Sequence, residues 1–410
     1  MSPIWSNWPG EQVCAPSAIV RPTSEAELAD VIAQAAKRGE RVRAVGSGHS
    51  FTDIACTDGV MIDMTGLQRV LDVDQPTGLV TVEGGAKLRA LGPQLAQRRL
   101  GLENQGDVDP QSITGATATA THGTAGGEVL SLSEGDDYLA ARVSLGALGV
   151  ISQVTLQTVP LFTLHRHDQR RSLAQTLERL DEFVDGNDHF EFFVFPYADK
   201  ALTRTMHRSD EQPKPTPGWQ RMVGENFENG GLSLICQTGR RFPSVAPRLN
   251  RLMTNMMSSS TVQDRAYKVF ATQRKVRFTE MEYAIPRENG REALQRVIDL
   301  VRRRSLPIMF PIEVRFSAPD DSFLSTAYGR DTCYIAVHQY AGMEFESYFR
   351  AVEEIMDDYA GRPHWGKRHY QTAATLRERY PQWDRFAAVR DRLDPDRVFL
   401  NDYTRRVLGP

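Results

Sequence analysis

Glu313 and Arg315 stand two apart in the apolar run PIMFPIEVRFS. In an extended chain alternate side chains share a face, so a carboxylate and a guanidinium would project together from an otherwise greasy strand. Such a pair is costly to bury unless it forms its own salt bridge or is used on a ligand. An ordinary strand ion pair and a polar pocket both fit the pattern. The second candidate is His49 in RVRAVGSGHSF, residues 41–51, where two glycines and two serines crowd one imidazole directly after a short β-run. Imidazole is a nucleophile and a proton carrier at neutral pH, although a histidine in a plain turn would look the same. Lys367 in PHWGKRHY offers a cation. His338 in CYIAVHQY offers a proton acceptor or a substrate ligand, with a satisfied core histidine as the alternative. His364 and His369 flank Lys367 without making a metal site.

The elements around His49 decide what kind of loop holds it. EAELADVIAQAAKRG has Leu28, Val31, Ile32 and Ala35 at helical spacing, with Ser24 and Glu27 as a capping box and Gly39 just past the end. The short β-run of residues 41–45 follows, then the glycine turn. A dinucleotide fingerprint would need a third glycine where Phe51 stands, and a helix where TDIACTDG shows no helical period. The loop therefore leads into another strand, VMIDM, and RVLDVDQPTGLVTVEGG reads as two strands across a Pro-Thr-Gly turn. AKLRALGPQLAQRRL reads as a helix interrupted at Pro93.

Residues 104–127, NQGDVDPQSITGATATATHGTAGG, are dominated by glycine, alanine and threonine, so backbone can approach a ligand closely there. AGGEVLSLS looks like the outgoing half of a hairpin whose incoming strand is absent. From about residue 160 helices alternate with aromatic-rich strands, and GREALQRVIDLVRRR reads as a surface helix.

Composition bounds the function. Lys and Arg number 49 against 52 Asp and Glu, so a polybasic footprint for nucleic acid or anionic lipid is missing. The four cysteines are widely separated and form no CxxC pair, which favours a reduced, cytoplasmic chain without structural zinc. The most apolar stretch, VSLGALGVISQVTLQTVPLF, carries alternating polar residues and reads as a buried strand, not an integral membrane segment. Peripheral association with a membrane is left open.

Five separated motifs, VGSGHSF, ITGATATATHGT, LGALGVISQVTL, EVR and HWGK, occur in an order that resembles the vanillyl-alcohol-oxidase (PCMH-type) flavoproteins. Within them the chain is most similar to the aldonolactone and alditol oxidoreductases, including the L-gulono-1,4-lactone dehydrogenases of actinobacteria. The resemblance covers nearly the whole chain. It implies an α+β, two-domain PCMH-type FAD-binding fold: residues 1–160, completed by 365–410, would hold FAD, and 161–364 would form an α+β substrate domain. It implies that Val45, Gly46, Ser47, Gly48, His49, Ser50 and Phe51 wrap the pyrophosphate, with His49 joined covalently to the flavin. Gly106, Asp107, Ser112, Gly115, Ala116, Thr119 and His122 would form the second flavin segment, with serine in some relatives where Asp107 stands. Gly149 and Ile151 would meet the adenine end. Glu313 would bond substrate hydroxyls, Arg315 and Lys367 would hold negative charge, and His338 would take a proton or bind substrate. The implied reaction is oxidation of a sugar lactone to an ascorbate-type product by hydride transfer, with a polyol as the alternative substrate. Oxygen, a cytochrome or a quinone would be the electron acceptor.

One departure stands out. Relatives usually continue THGTG into a loop and a strand, whereas here Ala125 follows Thr124 at once, and something on the order of ten to twenty residues is missing, the size of a strand plus its loop. Because a true deletion would expose a sheet edge, the expectation is a segment left out of a continuously numbered chain. A genuinely shortened variant is the alternative, and with it a non-catalytic flavin-binding protein.

Overall fold

The computed structural model describes residues 2–117, 129–215, 218–257, 259–271 and 276–410. The first helix runs Glu25–Lys37. The Ser24 side chain accepts from the Glu27 N–H at 3.2 Å, while the Glu27 carboxylate reaches back one residue further than a capping box requires, to the Thr23 N–H at 2.8 Å. Gly39, at φ +67°, ends the helix in the left-handed region that favours glycine. Its buried face, Leu28, Ile32 and Ala35, packs with Val42, Val60, Ile62, Val150 and Phe399. Behind it lies a three-stranded parallel sheet, with Val60–Asp63 between Ala18–Val20 and Val42–Val45.

A second small sheet is antiparallel: Leu79–Glu83 lies between Val70–Asp74 and Gln153–Gln157. The helix Leu88–Gln97 runs through Pro93 without a break, which corrects the expected interruption. Gly92, the residue before the proline, carries no Cβ to clash with the ring, and it lies so close to Tyr267 that a Cβ there would come within 2.9 Å. The expected hairpin half at 125–133 falls partly outside the described residues, and residues 129–133 have no regular structure.

Beside two two-stranded ribbons, Trp5–Ser6 with Val13–Cys14 and Leu100–Gly101 with Val159–Pro160, stands an eight-stranded antiparallel sheet. Its order is Ser260–Arg265, Thr163–Ser172, Lys200–Ser209, His189–Val194, Ile312–Ser317, Thr332–Tyr340, Phe278–Pro286 and Arg362–Pro363. One face is apolar: Phe192, Val314, Ile335, Met281, Tyr283 and Val337 pack under the helices Gly290–Arg303 and Glu346–Asp357. Their neighbours in each strand point to the other face, and there the residues are charged: Asp168, Arg204, Glu191, Arg315, Glu313, Glu282 and Glu280. The same alternation that builds the core therefore lays a polar floor on its reverse. The tail closes the molecule. Trp365, Leu376, Tyr380, Phe386 and Tyr403 share a core with Ala140, Val143, Leu145 and Leu148, so residues beyond 364 pack on the first part of the chain.

Candidate active site

Gly46 opens the loop that follows Val42–Val45, and its Cα lies so close to the second small-residue segment that a Cβ would sit 2.0 Å from Ser112 Oγ. Ser47 Oγ donates to the Pro110 carbonyl at 2.5 Å. Gly48 takes φ +64° and Gly149 φ +148°. Together these small residues leave a cleft of about 970 Å³, counted out to its open mouth, lined by Val45, Gly46, Ser47, Gly48, His49, Ser50, Ser112, Gly115, Gly149, Ile151 and Gly366. Its backbone-rich wall suits an anionic group held by main-chain N–H groups. Phe51 lies outside the cleft. It is buried, stacks near Phe278 at 5.7 Å between ring centres and donates its N–H to the Gly366 carbonyl at 2.7 Å, which ties the loop to the tail. Ala116 is partly buried and packs against the cluster that includes Leu88 and Val154. Thr119 and His122 lie outside the described residues.

Arg43 holds the cleft's floor together and was not singled out from sequence. Its guanidinium donates to the carbonyls of Gly146, Phe399, Ile54 and Leu145 at 2.6–3.0 Å, knitting distant segments of chain. Burial brings its pKa down to about 10, so it stays charged at neutral pH. His49 lines the cleft and stacks on Trp8 at 5.4 Å between ring centres. Burial and the nearby Lys87 lower its pKa, leaving the neutral, nucleophilic imidazole.

Glu313 and Arg315 are paired side by side on the polar floor. Asp107 reaches Arg315 Nη2 at 3.4 Å from the loop opposite. Gly106 and Asp107 thus line not the cofactor cleft but a second, more polar cavity with Arg315, Glu191, Arg204 and Phe190. Burial opposes the charge on Arg315, but Glu313, Asp107 and Glu191 outweigh it and hold its pKa well above the ordinary value.

Lys367 is placed by the segment after Arg362–Pro363, which continues along Phe278–Pro286: the His364 N–H donates to Glu282 O and the Arg368 N–H to Glu280 O, both at 2.9 Å. Lys367 Nζ then lies between two carboxylates, donating to Glu280 Oε1 and Glu282 Oε2 at 2.5 Å each. Burial works against the lysine's charge, and the two glutamates reverse the effect and raise its pKa. Glu280 also faces His338 Nε2 at 3.2 Å, while His338 Nδ1 lies 3.1 Å from the Pro311 carbonyl. Burial favours the neutral acid at Glu280, yet Lys367 and His338 hold its pKa well below the usual carboxylate range. Both ring nitrogens of His338 face oxygen atoms of the protein, so in this arrangement neither is turned toward a substrate proton. The two clusters are close because Ala336 is paired in register with both Glu313 and Glu282 and puts no bulk between them. Glu280 and Glu282 escaped the sequence reading although FTEMEYAI carries the same two-apart charge signal as EVR.

Known proteins match along the whole chain. Residues 154–407 match the D-arabinono-1,4-lactone oxidase family, and residues 16–134 match an FAD binding domain. The chain belongs to this lactone oxidase family. A Mycobacterium tuberculosis relative described as L-gulono-1,4-lactone dehydrogenase is 96% identical, with all of each chain covered, and L-gulonolactone oxidase of Mus musculus is 34% identical over 98% of each. A solved structure described as solvent-stable cholesterol oxidase superposes with a TM-score of 0.82 at 17% identity, covering all of this chain and 98% of that one, so the two-domain PCMH-type FAD-binding fold is shared. The mycobacterial alignment spans 428 positions against 410 residues here, leaving 18 without a counterpart, and those 18 by themselves make up the 4% difference. The chain is therefore 18 positions shorter than this relative, a difference of the size expected for the stretch missing after Thr124. Among the described residues, no helix is long and apolar enough to cross a membrane.

Proposed function

We propose that the protein is an FAD-dependent oxidoreductase that oxidises a secondary hydroxyl of L-gulono-1,4-lactone, or a closely related aldonolactone, toward an ascorbate-type product. The observation that carries this reading is the 96% identity to a lactone dehydrogenase over the full length of both chains. The backbone-lined cleft and the charged face of the large sheet support it. Bound FAD supplies the hydride acceptor. Val45 to Ser50, Ser112, Gly115, Gly149 and Ile151 would hold it, and His49 would be its covalent tether, for which the neutral imidazole at the cleft wall is the support. Residues 1–160 with 365–410 would form the FAD domain and 161–364 the substrate domain.

Glu313 would accept hydrogen bonds from sugar hydroxyls and would take the reacting hydroxyl's proton. Arg315 and Lys367, both kept charged by their carboxylate neighbours, would hold the negative charge that develops as that proton leaves. The relative's description favours an electron acceptor other than oxygen, a cytochrome or a quinone. Four free thiols suit a reduced, cytoplasmic setting.

A second reading rests on the 18 missing positions: a flavin-binding protein without turnover. Oxidation of L-gulono-1,4-lactone by the FAD-loaded protein with an artificial electron acceptor separates the two. Turnover is expected, and its absence at full flavin occupancy would establish the second reading. The tether is read separately, as a band on a denaturing, acid-treated gel that fluoresces for the unaltered protein and is dark for His49→Ala. A dark unaltered band refutes the covalent bond.

A further inference from the structure

The charges on the polar floor form a row in strand register. Asp168 is paired with Arg204, Arg204 with Glu191, and Glu191 with Arg315, across four adjacent strands. Paired residues of antiparallel strands project side by side, and here every neighbour has the opposite charge. Arg204 Nε meets Asp168 Oδ1 at 2.8 Å, Arg204 Nη1 meets Glu191 Oε1 at 2.8 Å, and Glu191 Oε2 lies 3.0 Å from Arg315 Nε. At the outer end Asp168 is held by Arg166 at 3.4 Å and by the Ser260 hydroxyl at 3.2 Å. Asp168 and Glu191 are buried, and burial would push the Asp168 carboxyl up, but Arg204 and Arg166 bring it below its usual range.

Glu191 divides its two oxygens between two guanidiniums. One binds Arg204, whose position is fixed by Asp168. The other approaches Arg315 as an ion pair. Arg315 is a third exposed and lines a cavity together with Glu191 and Arg204, and this row holds the Nε side of its guanidinium. Glu313, on the same strand, can move with Arg315, whereas Glu191 is anchored through strands further out.

We propose that Glu191 is a positioning residue for Arg315, and that Arg204 and Asp168 act on the site only through Glu191. This rests on the reading of Arg315 as part of the substrate site. The row fixes the orientation of the guanidinium before substrate arrives, which lowers the reorganisation needed when charge develops.

The test uses the full-length, FAD-loaded protein and L-gulono-1,4-lactone with an artificial acceptor. Glu191→Gln, which keeps the shape and removes the charge, is expected to lower kcat by roughly tenfold to a hundredfold, the range for losing one charged hydrogen bond, with KM changed far less. Glu191→Asp is expected to recover much of that loss. Arg204→Met, at a residue bonded to Glu191 and Asp168, is expected to lower kcat comparably, and to have no further effect once Glu191 is Gln. Flavin content and the thermal midpoint are read for each variant, so that a misfolded one is recognised, and Ser260→Ala at the row's far end provides a milder perturbation in the same direction. Additive losses in the Glu191 and Arg204 double variant, or an unchanged kcat in folded Glu191→Gln, overturn the proposal. The parent reading is tested apart from it by Arg315→Lys: if that variant is inactive while Glu191→Gln is normal, the site stands and the row does not. Full activity in Arg315→Lys removes the site reading itself.

Discussion

Replacing Lys367 by Met should invert part of the protein's pH dependence. The lysine nitrogen is 2.5 Å from an oxygen of each of two buried glutamates, Glu280 and Glu282, so those oxygens are at most about 5 Å apart. With the cation gone, two like charges at that distance repel by about 3 kcal/mol at an effective dielectric constant of 20. That pushes the Glu280 carboxyl up, and burial acts in the same direction. In the unaltered protein the sign is opposite. The folded-state pKa of Glu280 lies well below 4.5, so its contribution to stability is present above pH 4.5 and is lost as the pH falls through the folded value. In Lys367→Met a raised carboxyl contributes most below pH 4.5 and loses that contribution as the pH rises through the new value. The gap in thermal midpoint between the two proteins should therefore widen from pH 4.5 to pH 7.5, reaching roughly 3–4 °C in a chain of this length. Groups elsewhere titrate alike in both proteins and cancel in the difference. Adding Glu282→Gln to Lys367→Met should flatten the pH dependence again. Thermal unfolding followed by circular dichroism at intervals of half a pH unit measures this. A gap that stays constant over that window would refute the electrostatic account of Lys367.

Three further outcomes follow from the cleft. Gly46→Ala places a methyl group 2.0 Å from Ser112 Oγ, so the purified protein should carry substoichiometric flavin, with Ser112→Ala in the same chain restoring part of it; absorbance at the flavin band against protein concentration is the measure. Arg43→Met strands the carbonyls of Gly146, Phe399, Ile54 and Leu145 and should cost about 3–5 kcal/mol, read as a lower urea midpoint. Inserting the mycobacterial relative's 18 extra positions after Thr124 should raise flavin retention and the thermal midpoint together, because that length is enough for a strand and its loop; no change in either would refute a structural role for them.

What could be read from sequence was local. The Glu25–Lys37 helix announces itself through Ser24, its apolar spacing and Gly39, because caps and periodicity act within a few residues. The glycines around His49 likewise mark a loop that approaches something closely. Pro93 misled because the penalty for proline depends on what its neighbours put in its way, and Gly92 puts nothing there. Arg43 was illegible for another reason: it sits in a four-residue strand, and its acceptors lie up to 356 positions away, so sequence gives no hint that its charge is absorbed by backbone.

The polar floor sits between these cases. Each strand shows its own alternation, EVR in one, EMEY in another, HFEFF in a third, and the rule that flags Glu313 and Arg315 flags Glu280, Glu282 and Glu191 with equal force. What no single strand shows is register. Sliding one strand by a single residue would turn its charges into the helix-packed core and bring apolar side chains to the floor, and sliding it by two would put like charges opposite each other. The apolar face under Gly290–Arg303 therefore fixes the register by burial, and the charges on the reverse face inherit it. A core substitution such as Val314→Gly, far from any ligand, would on this account disturb Arg315 before it unfolded the sheet, because the strand's grip on its neighbours and the placement of the guanidinium depend on the same side chains.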